Sequence, residues 1–129
     1  MKSIFASLAV SFLFSCVGFG YDWAVNPGTG TVEDPYLIWE IDQLTSIGSD
    51  SSLLDKHYRL VADIDLTGVV FSGALIAPDT DQVTDGFQGS YFTGTFDGGG
   101  HVIKNLTMTT TERRDYIGFI GGFIGFGQL

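Results

Sequence analysis

An all-β fold is what this sequence predicts, and three observations carry that prediction. Residues 57–66 alternate for ten positions, with Tyr58, Leu60, Ala62, Ile64 and Leu66 on one face and His57, Arg59, Asp63 and Asp65 on the other. A period of two marks a half-buried strand. Eighteen of the 129 residues are Gly, about twice the usual ~7% share, and many gather with Pro, Asn and Asp in turn clusters between short apolar runs. Hydrophobic residues make up 44% of the chain and aromatic residues 14%, too many for a disordered polymer. At this length the chain forms one domain.

Charge removes whole classes of partner. Fifteen Asp and Glu stand against six Lys and Arg, a formal net charge of −9. A nucleic-acid binder needs a basic stripe to neutralise phosphates, and none exists here, so nucleic acid is excluded as a partner and an anionic membrane surface is disfavoured for the same reason.

Residues 1–20 have the three-part layout of a secretory signal peptide. Lys2 gives a positive start, Ile4 to Val17 is apolar but for small hydroxyls, and Gly18-Phe19-Gly20 supplies small residues before a cleavage point. The run is too short to span a bilayer as a helix, so no membrane span is expected. Two alternatives stay open: a buried N-terminal helix, and a lipoprotein signal at Leu13-Phe14-Ser15-Cys16 in which Cys16 carries the lipid. Phe14 fills a slot that usually holds a small side chain. Cys16 is the only cysteine. Its removal would leave a mature chain without a disulfide, a Cys-ligated metal or a Cys nucleophile.

Residues 21–56 form an entrance and a cap. Asn26-Pro27-Gly28, Gly30 and Glu33-Asp34-Pro35 mark turns, and Tyr36-Leu37-Ile38 is a short strand. Ile38, Ile41, Leu44 and Ile47 then recur at threes, which predicts a short helix ending at Gly48 with an apolar underside. Ser49 or Asp50 is placed to cap a second helical turn over residues 53–56. Neither helix is long enough to stand alone, so both must lie on something apolar.

Beyond the strand at 57–66, further strands are predicted at 91–96, 101–109 and 116–126, with turns at 79–86, 97–100 and 110–115. Ile103, Leu106 and Met108 cannot share a face under strict alternation. A bend near Lys104-Asn105 resolves the conflict.

Several stretches resemble a known family. Tyr36-Leu37-Ile38, Gln43-Leu44 with Ile47-Gly48, and His57 to Leu66 are similar to the opening of bacterial secreted proteins with GLUG-type repeats. Phe92 to Met108 resembles the segment that precedes the first repeat. Tyr116-Ile117-Gly118-Phe119-Ile120-Gly121 is similar to the motif itself, with Phe-Ile in place of the usual Leu-Phe order. The resemblance covers nearly all of residues 27–129. It implies a short right-handed parallel β-helix of the pectate-lyase-like class, a solenoid with a small N-terminal capping helix, with rungs over residues 57–129. The last rung would be incomplete at Leu129, as in a truncated chain or a fragment. Such a stack buries its apolar faces rung on rung, and the expected core is Ile64, Leu66, Phe96, Ile103, Leu106, Ile117 and Phe119. An uncapped last rung is also a place for self-association.

Chemistry is sparse. Asp63 and Asp65 share one strand face ~6.8 Å apart, inside the ~5–9.5 Å range of glycosidase carboxylate pairs, with His57 and Arg59 on the same face. The plainer reading is a solvated face. Asp79, Asp81 and Asp85-Gly86 invite a calcium reading, but Val83, Thr84 and Ser90 stand where an EF-hand loop needs an oxygen ligand, Gly and Glu. Asp97-Gly98-Gly99-Gly100-His101 lacks the Lys-Ser/Thr of a phosphate loop and reads as a tight turn. Two His and no mature Cys cannot assemble zinc without distant carboxylates. Asn105-Leu106-Thr107 matches a glycosylation sequon, and Asn105 at a corner would bond backbone.

The expected function is therefore a non-catalytic structural or adhesive β-helical segment of an exported surface protein, with no cofactor, metal or catalytic residue. A surface polysaccharide or another cell-surface protein is the expected partner. The alternative is a fragment of a polysaccharide lyase or glycosidase-like enzyme using Asp63, Asp65 and Arg59, with Trp23, Trp39 and Tyr91 as available aromatics.

Overall fold

The computed structural model describes residues 20–81, 83–110 and 116–124. Residues 1–19 of the expected signal peptide at 1–20, which include the expected lipidation point Cys16, together with Gln82, residues 111–115 of the expected turn at 110–115, and residues 125–129, lie outside the described residues. Within them the molecule is mostly short strands with few helices, as the sequence predicts. Seven strands follow in order: β1 (Tyr36–Ile38), β2 (His57–Leu60), β3 (Ile64–Asp65), β4 (Val70–Phe71), β5 (Thr95–Asp97), β6 (Ile103–Lys104) and β7 (Thr107–Met108). One α-helix, α1 (Ile41–Ser46), and 3-10 turns at Trp23–Val25, Ile47–Ser49 and Ser51–Leu53 complete the set.

Among the described residues every strand pairing is parallel. β1, β2 and β5 form one sheet in that order, β3 pairs with β6, and β4 pairs with β7. The chain thus runs β2-β3-β4, returns, and lays β5-β6-β7 along the same three strands in the same order. Tyr58 meets Phe96, Ile64 meets Ile103 and Val70 meets Thr107, partners separated by 38, 39 and 37 residues. Two isolated bridges, Ile76 to Ile120 and Phe92 to Phe123, carry the second pass on along the connection that follows β4.

Like side chains stack because the pairing is parallel and in register. Tyr36, Tyr58 and Phe96 are direct partners across β1, β2 and β5. Their rings sit 5.8 Å and 6.4 Å apart, and Phe119 meets Phe96 edge-on at 5.3 Å. Ile38, Leu44, Ile47, Tyr58, Leu60, Leu66 and Ile76 are fully or almost fully buried around this column. Each such side chain contributes about 1.5–3 kcal/mol of burial free energy. The Tyr58 hydroxyl donates to the Leu53 carbonyl at 2.6 Å, so the polar atom of the fully buried middle ring is paired.

Several elements differ from expectation for local reasons. The ten-residue strand is two strands with a corner between them. Its alternation survives the corner: Tyr58, Leu60, Ile64 and Leu66 are buried while Arg59, Val61, Asp63 and Asp65 are exposed. The Val61 N–H still bonds the Ile38 carbonyl, whereas the Ile64 N–H bonds the Val102 carbonyl, so the chain changes sheets between them. Ile38 belongs to β1, and the helix starts only after it. Asp50 caps the second turn, which is a 3-10 turn at Ser51–Leu53, by accepting from the Ser52 N–H. At 91–96 the strand is confined to β5, and β4 carried no alternation long enough to be read.

The bend at Lys104-Asn105 is present: Asn105 adopts a φ of 62° between β6 and β7. Its amide bonds side chains rather than backbone, donating to Asp65 and Thr67. Residues 116–124 form no regular strand, only the two bridges. Gly118, Gly121 and Gly122 provide no side chains to pack, and Tyr116 has a φ of 59°. Two expected core residues are consequently outside: Leu106 is 36% exposed, just past the Asn105 corner, and Ile117 is 41% exposed. Ile64, Leu66 and Phe96 are buried, while Ile103 and Phe119 are partly buried against the core.

Candidate functional site

The outward face of β2 and β3 holds most of the residues that sequence reasoning singled out, and the fold gives each a structural partner. His57 Nδ1 lies 2.9 Å from Thr95 Oγ1, and Arg59 Nε donates to Asp97 Oδ2 at 3.0 Å. Both contacts join β2 to β5. Asp63 Oδ1 accepts from the Val102 N–H at 3.1 Å and lies 3.2 Å from His101 Nδ1. Asp65 Oδ1 accepts from Asn105 Nδ2 at 2.8 Å and from the N–H and hydroxyl of Thr67 at 3.0 and 2.6 Å. The pairing of β3 with β6 therefore fastens both carboxylates across the strands.

These bonds set the electrostatics. Hydrogen bonds from the Asn105 amide and then Thr67 hold the Asp65 carboxyl down at a pKa of about 2. The Val102 N–H and then His101 lower that of Asp63. Asp97 is lowered by the Gly99 N–H and then Arg59. A general acid must carry a proton near the working pH. Groups tuned in this direction stay ionised and act as fixed acceptors.

Beside them lies a shallow groove of about 370 Å³ lined by Trp39, Glu40, Ile41, Asp42, Asp63, Ile64 and Asp65. Trp39 is 39% exposed. Asp63 and Asp65 both reach the groove, while Arg59 turns to Asp97 and His57 to Thr95. The expected enzyme set of Asp63, Asp65 and Arg59 is therefore split between two contacts.

The other motifs resolve locally. Asp79 Oδ1 accepts from the Gln88 N–H at 2.9 Å, and Asp81 accepts from the Val83 N–H and the Thr84 hydroxyl, so the acidic loop ties itself together. Among the described residues no group of three His, Cys, Asp or Glu is placed to hold a metal ion. Residues 97–101 form the expected tight turn, with Gly99 at φ 59° and Gly100 at φ 82°. The Asn105 amide of the sequon is engaged with Asp65 and Thr67.

Trp23, Trp39 and Tyr91 do not share one face. Trp23 packs among Tyr21, Tyr36 and Tyr58, with its indole Nε1 buried and unpaired. Trp39 meets the outer side of Tyr21 at 6.3 Å, and Tyr91 belongs to a separate cluster with Phe87.

Sequence reasoning missed the two side chains that finish the outer edge of β1. Asn26 accepts from the Leu37 N–H at 3.0 Å and donates to the Leu37 carbonyl at 2.9 Å, as a neighbouring strand would. Fully buried Gln43 donates to the same carbonyl at 3.2 Å and accepts from the N–H groups of Trp39 and Glu40. Gln43 also closes a reciprocal capping box with Glu40. The spacing Glu40-x-x-Gln43 was the available signal.

The described residues therefore define an all-β protein of small parallel sheets, in which no helix is long and apolar enough to cross a membrane. No family model matches the chain, and no solved structure matches it. It is similar to Halomucin of Haloquadratum walsbyi (strain DSM 16790 / HBSQ001), at 35% identity over 110 residues. The match takes in 82% of this chain and 1% of Halomucin, so the chain spans about a hundredth of that relative's length.

Proposed function

We propose that this chain is the opening segment of a right-handed parallel β-helix in an exported surface protein, with a structural or adhesive rather than a catalytic role. The observation that carries the reading is the succession β2-β3-β4 followed by β5-β6-β7, each strand parallel to its counterpart 37–39 residues earlier. A chain that returns to the same three strands in the same order has the connectivity of stacked rungs, and parallel crossovers are right-handed in nearly all proteins. The GLUG-type resemblance supports the same architecture. The short helix and the Asn26 and Gln43 side chains act as its N-terminal cap.

Similarity to a small part of a far longer relative supports a segment that works as one unit of an extended molecule. The signal-like residues 1–20 support export, with anchoring at Cys16 as the lipidated variant. A role without catalysis rests on Asp63 and Asp65 serving as ionised fasteners between strands. The partner is a surface polysaccharide or another surface protein, and the far edge of β5-β6-β7 is the place for self-association.

The test is a protease-shaving experiment on intact producing cells, read with the intact mass of the native protein. Release of peptides from residues 21–110, on a chain starting near residue 21 or carrying lipid at Cys16, supports the reading. A protein that starts at Met1 and stays protected inside the cell overturns it. A sugar-release assay on uronans addresses the catalytic side: activity that disappears in Asp63→Asn or Asp65→Asn would replace this reading with an enzyme.

A further inference from the structure

We draw no further inference here: the strongest candidate, the apolar hollow beside β5 and β6 lined by Leu60, Phe96, Ile103, Leu106 and Phe119, is an unpartnered face, and nothing in the structure shows what covers it.

Discussion

The outer edge of β1 and the far edge of β5, β6 and β7 are built from the same kind of backbone and finished in opposite ways. At β1 the outward-facing N–H and carbonyl of Leu37 both bond the Asn26 amide, and Gln43 adds a second donor. Along β5, β6 and β7 no further strand pairs among the described residues. Leu106, Ile117, Phe123 and Ile124 are exposed in the same half of the chain. A single carboxamide reproduces the donor and acceptor of one peptide unit, so one Asn is enough to finish a three-residue strand. An unfinished strand edge is a template for another.

The largest effect should come from removing what both edges share. Tyr58→Ala deletes the middle ring of the column and should cost about 3–5 kcal/mol in chemical unfolding. A cost below about 1 kcal/mol would mean that the column does not hold the sheets together. Next, Asn26→Ala makes the first edge resemble the second. Two backbone N–H groups, the buried one of Gly28 and the part-buried one of Leu37, lose their acceptor, for about 2–3 kcal/mol. Light scattering should then show more association with rising concentration than in the parent chain. An unchanged monomer would show that the edge is protected by something other than Asn26.

Acid sharpens the comparison from the other side, because the carboxylate fasteners join β3 to β6. The folded Asp65 carboxyl has a pKa of about 2 against an ordinary 3.8. Its contribution is thus complete above the ordinary value and disappears as the pH falls toward 2. Melting temperatures taken from pH 6 to pH 2 should fall across that window, and Asp65→Asn should flatten part of the fall. Parallel curves for the two proteins would remove Asp65 from the account. The smallest effect belongs to Leu106→Ser, which should cost about 1 kcal/mol because the side chain is already partly exposed. The same change at buried Leu60 should be severe.

How much of this was legible in the sequence follows from what each signal measures. Period two over residues 57–66 reports which side chains face inward, and it reads through the corner at 61–63 because the corner does not reset the alternation. It says nothing about which strand lies alongside, so the division into β2 and β3 was invisible. The conflict among Ile103, Leu106 and Met108 correctly placed a bend at Asn105. It did not say which of the three would be turned out, since that depends on the path after the corner. At the candidate site, shared faces were readable from spacing. The partners were not: His101 to Asp63, Asn105 to Asp65 and Asp97 to Arg59 each span 38–40 residues, and only the register of parallel strands sets them. Gln43 falls outside the stripe of Ile41, Leu44 and Ile47 and is nonetheless wholly buried, its polar atoms spent on the end of β1.

That 37–39-residue spacing has a consequence in time. No sheet here can close as a local hairpin, since even the nearest pair, β1 and β2, joins Tyr36 to Tyr58. The ordering entropy of a long loop must be met before any strand contact rewards it, which puts such topologies among the slow folders, in milliseconds to seconds. The chain therefore passes through an interval after synthesis in which its strands lack their partners, until the first pass finds the second.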